Sequence, residues 1–346
     1  MLIVLNKTAT DSQVDTICNR VRQVGLTPGL VPGARRGAIT VTGNTGRAVI
    51  PDIQGLPGVQ RVIHVTKPYR LATLEGTEGQ YSEFSIGEAS VGSANAWFVA
   101  GPCSVDTEER LMAIAAHVKA VGAQALRGGA FKPRTNPYAF QGHGLDALKM
   151  LARAREATGL PIVTEAMDHQ QVDLVEEWAD VIQIGARNMQ NYSLLKRAGQ
   201  ARIPVILKRG LSASVDEVLN AAEYILAEGN DRVVLCERGI RCFGDHARFL
   251  LDIAAVAVLK SSTHLPVIVD PSHPAGVRSL VSPLARAALA AGADGLIVEV
   301  HPEPSEALSD GQQALRFEDI SSLAHVGRKI TSVLDRSFGN PVEGPA

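Results

Sequence analysis

From residue 97 onward, short apolar segments alternate with longer amphipathic ones. The apolar segments are WFVAGPCS, QALRGG, LPIVTEA, DVIQIGA, PVILKRG, RVVLCERG, LPVIVDPSH and GLIVEVHP. Their length and β-branched content predict buried strands, and the 3.6-residue periodicity between them predicts helices. These helices are expected to begin near Thr107, Gly144, His169, Asn191, Ser214, Asp245 and Ser279, with an eighth over 319–338. Consecutive β-α units of this number predict a closed (β/α)8 TIM barrel, and an open doubly wound sheet is the alternative.

The residues before the barrel follow another pattern. Residues 1–67 read as βαββαβ, a small ferredoxin-like α+β domain whose second helix, near 46–56, is poorly defined. Residues 68–96 are rich in Gly, Ser and Glu and predict a linker with a β-hairpin in EFSIGEASVG. The expected domains are therefore a ferredoxin-like domain at 1–67, a linker at 68–96, a barrel at 97–338 and a tail at 339–346.

Composition narrows the class of protein. The net charge is −2 and aromatic residues make up 4% of the chain, which disfavours a nucleic-acid partner. The sequence contains no run of eighteen apolar residues, so we expect no membrane span. The N-terminus lacks the pattern of a signal peptide. Four cysteines in 346 residues are typical of reduced thiols, so we expect a cytoplasmic protein.

The ends of the predicted strands carry charged or ligating side chains. Active sites of such barrels lie at the C-terminal ends of the strands. The residues found there are Cys103, Arg127, Lys132, Glu165, Arg187, Lys208, Arg238, Asp270, His273, Glu299 and His301. Because unpaired, partly buried charges are destabilising, this concentration indicates a functional site.

Cations form one subset of these residues: Arg127, Lys132, Arg134, Arg187, Lys208 and Arg238. Guanidinium groups match carboxylate and phosphate oxygens in pairs, and ammonium groups add positive charge. The subset predicts a multiply charged anion as ligand, such as a phosphorylated carboxylate. Any one of these residues alone could equally be an ordinary Arg or Lys on the protein surface.

Metal-ligand types form a second subset: Cys103, His273, Glu299 and Asp310. Three of them end strands 1, 7 and 8, which are neighbours in a closed barrel. Thiolate, imidazole and carboxylate donors together suit Mn, Fe, Co or Zn. No local spacing motif links them, so the prediction depends on the fold.

Six peptides resemble 3-deoxy-D-arabino-heptulosonate 7-phosphate (DAHP) synthases of the microbial branch that carries an N-terminal ferredoxin-like regulatory domain before its catalytic barrel. They are AGPCSVD, LRGGAFKPRTNPYAFQG, IQIGARNMQNY, VVLCERGIRCF, VDPSHPAG and IVEVHPEPSEALSDGQQ. The resemblance is strong over 97–317 and looser before it. It implies a transferase that condenses phosphoenolpyruvate with erythrose 4-phosphate, the first step of the shikimate pathway to aromatic amino acids.

The resemblance also implies roles for individual residues. The implied divalent-metal ligands are Cys103, His273, Glu299 and Asp310. The implied phosphoenolpyruvate ligands are Arg127, Lys132, Arg187, Lys208 and Arg238, with Glu165 beside them, and Arg134 and Thr135 would hold the phosphate of the aldose. Cys103, Lys132, Glu165 and His273 are the expected catalytic set, with Lys132 and Glu165 as candidates for proton transfer.

Two other functions stay open on the residues. One is the sister reaction with arabinose 5-phosphate, which makes 3-deoxy-D-manno-octulosonate 8-phosphate, although the segment Lys132–Thr135 (KPRT) favours the four-carbon aldose. The other is a catalytically silent barrel that regulates a partner enzyme. The resemblance further implies a homotetramer and an aromatic amino acid as the class of effector, but the sequence does not identify the metal or the effector.

Overall fold

The computed structural model of the chain describes residues 1–31, 37–43, 50, 52–63, 67–77, 79–92, 94–134 and 136–339. The predicted tail therefore lies almost entirely outside the described residues, as does the first part of the poorly defined helix near 46–56. None of the helices in the described ranges combines the length and the apolar character that crossing a membrane requires.

The N-terminal residues form a four-stranded antiparallel sheet with one helix. Its elements are β1 (Leu2–Leu5), α1 (Asp11–Gln23), β2 (Thr27–Val31), β3 (Ala38–Thr42) and β4 (Val59–Ile63). The strand order β2-β3-β1-β4 is that of a ferredoxin-like fold. Thr10 begins α1 with a capping box, and Ile17 and Val21 bury one helical face against the sheet. A short 3₁₀ turn at Ile53–Gly55 stands where part of the second helix was expected.

The predicted hairpin lies between the two parts of the chain. β5 (Phe84–Ile86) and β6 (Ala89–Val91) pair antiparallel. Phe84, Ile86 and Val91 pack into the same apolar cluster as Trp97, which points into the barrel. The hairpin therefore closes one end of the barrel interior.

Eight parallel strands close into a barrel. They are β7 (Asn95–Gly101), β8 (Ala125–Arg127), β9 (Ile162–Glu165), β10 (Val181–Ile184), β11 (Val205–Lys208), β12 (Val233–Glu237), β13 (Val267–Val269) and β14 (Gly295–Glu299). Closure is shown by the pairing of β14 with β7, in which Gly295 aligns with Trp97 and Glu299 with Gly101. The strands are buried on both faces, as parallel strands covered by helices require. The predicted TIM barrel is confirmed, and an open sheet is excluded.

Helices surround the strands. They are α2 (Glu108–Ala120), α3 (Leu145–Thr158), α4 (His169–Trp178), α5 (Tyr192–Gly199), α6 (Val215–Ala227), α7 (Ile253–Ser262), α8 (Ser272–Ala275), α9 (Arg278–Ala290) and α10 (Phe317–Val333). After α10, a short strand β15 (Ser337–Phe338) pairs with the start of β7. The side chains of Thr107, Asp168 and Ser214 each accept a hydrogen bond from the first turn of the helix that follows.

One predicted helix start is wrong. The helix after β12 was expected near Asp245, but α7 begins at Ile253, with the side chain of Asp252 accepting a hydrogen bond from the backbone N–H of Ala255. Residues 241–250 form an irregular loop instead. This loop carries Arg248 and Phe249 to the barrel mouth.

Candidate active site

A polar cavity of about 280 Å³ lies at the C-terminal ends of the strands. Arg127, Glu165, Lys208 and Glu299 are the last residues of their strands, and Asp270 directly follows β13. Of the twelve predicted site residues, eight line the cavity: Lys132, Arg134, Glu165, Arg187, Lys208, Arg238, His273 and Asp310. Cys103, Arg127 and Glu299 are buried beside it. Thr135 lies outside the described residues.

Lys132 joins two of the predicted metal ligands. Its Nζ lies 2.7 Å from Sγ of Cys103 and 3.0 Å from Oδ2 of Asp310. Sγ of Cys103 is in turn 3.2 Å from the same Asp310 oxygen. A thiol, an ammonium group and a carboxylate from three separate loops therefore meet at one point.

Glu299 is held by hydrogen bonds on both oxygens. Oε1 accepts from Arg127 at 2.6 Å and Oε2 accepts from the side-chain amide of Gln313 at 2.6 Å. Arg127 also donates to the backbone carbonyl of Cys103 at 3.0 Å. Arg127 thus orients the glutamate and the cysteine loop, and its guanidinium is already engaged by a carboxylate.

Asp270 fixes the imidazole of His273. Nδ1 of His273 lies 2.6 Å from Oδ2 of Asp270, and Lys208 donates to the same oxygen. A carboxylate flanked by these groups only accepts hydrogen bonds, so Nδ1 carries the proton and Nε2 is left with a free lone pair. That nitrogen is 3.6 Å from Oε1 of Glu299. The orientation is the one that a metal-binding histidine needs.

Burial and charge pairing set the protonation of the cluster. Burial, reinforced by Glu299, raises the pKa of Cys103 to about 12. Burial opposes ionisation of Glu299, but His273, Arg127 and Lys132 lower its pKa to about 2. Burial likewise opposes the charge of Lys132, yet Cys103, Glu299 and Asp310 raise its pKa above the ordinary value. The carboxylates are therefore charged and the thiol is neutral at neutral pH.

The four predicted metal ligands lie in two pairs. Cys103 and Asp310 form one pair, and His273 and Glu299 the other, at the separations given above. Donor atoms that share a small divalent ion lie roughly 3–4 Å apart, given bond lengths of about 2.0–2.3 Å, so each pair fits this chemistry. In the part of the chain that the structure describes, however, no group of three or more such side chains is already arranged around a common ion position.

Three guanidinium groups line the cavity without a carboxylate partner among the described residues: Arg134, Arg187 and Arg238. Arg238 is 6% exposed, and burial lowers its pKa. It stacks on the ring of Phe249, with 4.6 Å from its guanidinium carbon to the ring centroid. A buried cation that no carboxylate contacts is destabilising unless a ligand adds negative charge, so this wall of the cavity suits an anion.

The side chain of Glu165 packs against Gly185 where it enters the cavity. Its Oε2 accepts from the side-chain amide of Gln183 at 3.1 Å. A Cβ placed on Gly185 would lie 2.1 Å from Oε1 of Glu165. The absence of a side chain at position 185 therefore makes room for the carboxylate.

Arg248 and Phe249 line the cavity and contact its functional side chains, but they are not among the predicted site residues. Arg248 donates to Oδ1 of Asp310 at 3.4 Å and to Gln313 at 3.3 Å, and the neighbouring Phe249 supports Arg238. Both lie in the loop that was read as the start of a helix. An aromatic residue next to an arginine, shortly after a strand-end arginine, was the available signal.

Family models match nearly the whole chain. The model described as the DAHP synthetase I family matches residues 77–336, and the model described as the DAHP synthase ferredoxin-like domain matches residues 1–67.

Similar proteins and a solved structure support the same family. The phospho-2-dehydro-3-deoxyheptonate aldolase of Thermotoga maritima is 42% identical over 96% of this chain and 98% of its own length. Its crystal structure covers 98% of this chain and 99% of its own, with a TM-score of 0.78 at 41% identity. The 2-dehydro-3-deoxyphosphooctonate aldolase of Syntrophotalea carbinolica is 35% identical over 64% of this chain and 86% of its own length. On the barrel, the ferredoxin-like unit before it and these matches, the chain belongs to the DAHP synthetase I family.

Proposed function

We propose that the barrel mouth condenses phosphoenolpyruvate with erythrose 4-phosphate and releases phosphate, the reaction that family membership indicates. The observation that carries this proposal is the wall of guanidinium groups without carboxylate partners. Arg187 and Arg238 match the carboxylate and phosphate of phosphoenolpyruvate, which together carry several negative charges. Lys208, although paired with Asp270, adds positive charge to the same wall.

We also propose a division of the cavity between the two substrates. Phosphoenolpyruvate lies against Lys132, Arg187, Lys208 and Arg238, with Arg127 behind them. The aldose phosphate lies toward Arg134 and Thr135. The position of Arg134 on the cavity wall supports this assignment.

A divalent ion is part of the proposal. Its ligands would be Cys103, His273, Glu299 and Asp310, supported by their donor types and by the two pair separations. When bound, such an ion supplies Lewis-acid polarisation of the aldehyde oxygen. The mixed sulfur, nitrogen and oxygen donors fit Mn, Fe, Co or Zn.

The chain's own residues then govern the bond changes. C3 of phosphoenolpyruvate bonds to the aldehyde carbon, water adds at C2, and the adduct expels phosphate. Arg187, Lys208 and Arg238 stay in place while charge shifts toward the phosphate, so they stabilise the transition state without reorganising. Glu165 takes the proton of the water, and Lys132 donates a proton to the new alkoxide.

The experiment that tests the function compares two aldoses. Purified chain is incubated with phosphoenolpyruvate and either erythrose 4-phosphate or arabinose 5-phosphate, and phosphate release is followed with and without chelator. We expect turnover with erythrose 4-phosphate, loss on chelation and recovery with added Mn²⁺. Preference for arabinose 5-phosphate would instead support the octulosonate reaction, and no turnover with either would favour a silent regulatory barrel.

We propose that residues 1–67 form a regulatory domain. We also propose that residues 68–96 are a linker, 97–338 the catalytic barrel and 339–346 a tail. A cleft of about 940 Å³ between this part and the barrel, lined by Leu2, Val4, Asp231 and His264 among others, supports a role in binding a small effector. An aromatic amino acid is the proposed class of effector, and added Phe or Tyr should change the rate of phosphate release.

We further propose that the protein is a cytoplasmic homotetramer. Sedimentation of the purified chain would test the oligomeric state.

A further inference from the structure

A buried pair of side chains outside the cavity joins two loops of the barrel mouth. Asp106 lies between β7 and α2, three residues after Cys103, and His301 follows β14. Nε2 of His301 is 3.0 Å from Oδ2 of Asp106, and both side chains are 4% exposed. This contact joins the loop that carries Cys103 to the loop that carries Asp310.

The direction of this hydrogen bond follows from its neighbour. The backbone N–H of Glu303 donates to Nδ1 of His301 at 3.1 Å. Because Nδ1 is an acceptor, the ring proton lies on Nε2, which donates to Asp106. The imidazole therefore receives one hydrogen bond from its own loop and gives one to the neighbouring loop.

A third loop is attached at the same residue. Nε2 of His143 lies 3.0 Å from the backbone carbonyl oxygen of Asp106, and a carbonyl only accepts. His143 ends the loop that carries Lys132 and Arg134. Asp106 thus contacts the loops after β8 and β14 at once.

A second buried contact runs parallel to the first. The hydroxyl groups of Ser104 and Ser309 are 2.6 Å apart. These serines directly adjoin Cys103 and Asp310. Two buried contacts therefore join the loops that carry Cys103 and Asp310.

The pair does not touch the space for substrates. Neither Asp106 nor His301 lines the cavity at the barrel mouth. The hollow beside them, bounded by Pro102, Leu111 and Ile114, has no room for a water molecule. Any effect of the pair on the reaction must act through the loops that it joins.

We propose that Asp106 and His301 are positioning residues that hold the Cys103, Lys132 and Asp310 loops in register. The inference rests on the proposed function in one respect, namely which substrate responds. The three loops follow β7, β8 and β14, which are adjacent strands, whereas Arg187, Lys208 and Arg238 lie at the ends of β10, β11 and β12 on the other side of the barrel. Loosening the loops therefore disturbs the aldose side more than the phosphoenolpyruvate side, where only Lys132 belongs to a joined loop.

The test compares Asp106→Ala with Asp106→Asn in the full chain. Alanine removes the acceptor, and we expect a rise in KM for erythrose 4-phosphate of roughly tenfold or more and a lower kcat, because small misplacements of reacting groups are costly. KM for phosphoenolpyruvate should rise much less, because Lys132 is the one of its four proposed cation ligands that lies on a joined loop. Asparagine keeps an oxygen that accepts from His301 and should recover most of the loss.

A second measurement does not depend on turnover. Amide hydrogen exchange over residues 300–310 should be faster in Asp106→Ala than in wild type, and close to wild type in Asp106→Asn. If Asp106→Ala does not fold, His301→Ala takes its place with the same expected pattern. Unchanged exchange in the alanine variant would overturn the inference even if the wild-type chain turned over neither aldose.

Asp180→Ala provides the matched control. Asp180 precedes β10 at the opposite end of the barrel, where it accepts from Arg155 at 3.1 Å and from the backbone N–H of Ile162 at 2.8 Å. Its loss should lower stability without changing the ratio of the two KM values. If Asp180→Ala shifted that ratio as Asp106→Ala does, or if Asp106→Ala raised both KM values equally, the role of Asp106 would be general stability and the inference would be wrong.

Discussion

At the scale of single residues, the site combines charges that are already paired with charges that are not. Glu299 forms a salt bridge with Arg127, and Asp270 forms one with Lys208, so these four charges are paired in the free protein. Arg238 is buried beside them with Phe249 as its main neighbour. The pairing separates the engaged cations from Arg134, Arg187 and Arg238, which are available to a ligand, a distinction that a count of positive residues does not make.

The state of Arg238 predicts opposite effects on stability and on binding. In Arg238→Met the buried charge is removed, so the free energy of unfolding should stay equal or rise. The same variant should raise KM for phosphoenolpyruvate by roughly 30-fold, since a hydrogen bond to a charged group contributes about 2 kcal/mol. Urea unfolding and steady-state kinetics check the two halves. An unchanged KM would contradict the anion-binding role.

Glu165 is the residue for which proton transfer is proposed. Glu165→Gln keeps the size of the side chain and removes its basicity. We expect kcat to fall by about 100-fold or more, with KM for phosphoenolpyruvate changed much less. Glu156→Gln, on the exposed face of α3, is the matched control and should be silent. Full activity of Glu165→Gln would exclude Glu165 as the base.

At the scale of elements, the connection after β10 is shaped by the need to admit Glu165. Gly185 precedes the turn Ala186–Asn188 that places Arg187 at the cavity. Gly185, which lacks a Cβ, thus makes room for Glu165 and lies two residues before Arg187.

Gly185→Ala should therefore impair catalysis without unfolding the barrel. The added Cβ would meet the end of the Glu165 side chain, which is flexible and can move away. We expect a fall in kcat that approaches that of Glu165→Gln, while the thermal midpoint drops by only a few degrees, as about 1 kcal/mol implies. Gly55→Ala is the control, because a Cβ there meets nothing within 4 Å. Equal activity of the two alanine variants would show that the position of Glu165 does not matter.

The loop after β12 shows where sequence reasoning fails at this scale. A helix was expected to begin near Asp245, yet the hydrogen-bonding side chain of Asp252 begins α7 later. Arg248 and Phe249 instead turn toward the cavity. Local periodicity cannot register contacts made across the barrel, such as those from Arg248 to Asp310 and Gln313.

At the scale of the whole molecule, the barrel and the strand-end residues were predictable for a physical reason. Parallel strands buried on both faces leave continuous apolar runs in the sequence, and barrel geometry brings their C-terminal ends together. The pairing within the mouth was not predictable, because Lys132 reaches Cys103 and Asp310 only through the folded arrangement of three loops. His301 was noticed at a strand end, but its partner Asp106 lies 195 positions away in the chain.

The proposed metal site is tested by the number and affinity of Mn²⁺ ions that the metal-stripped chain binds, with Cys103→Ser beside the wild type. We expect one tightly bound ion per wild-type chain, which restores phosphoenolpyruvate consumption with erythrose 4-phosphate. In Cys103→Ser the affinity should fall on the order of tenfold or more, because one of the four ligands is replaced. Equal Mn²⁺ affinity in the two proteins, or full turnover by the wild type after complete chelation, would contradict the proposed metal site.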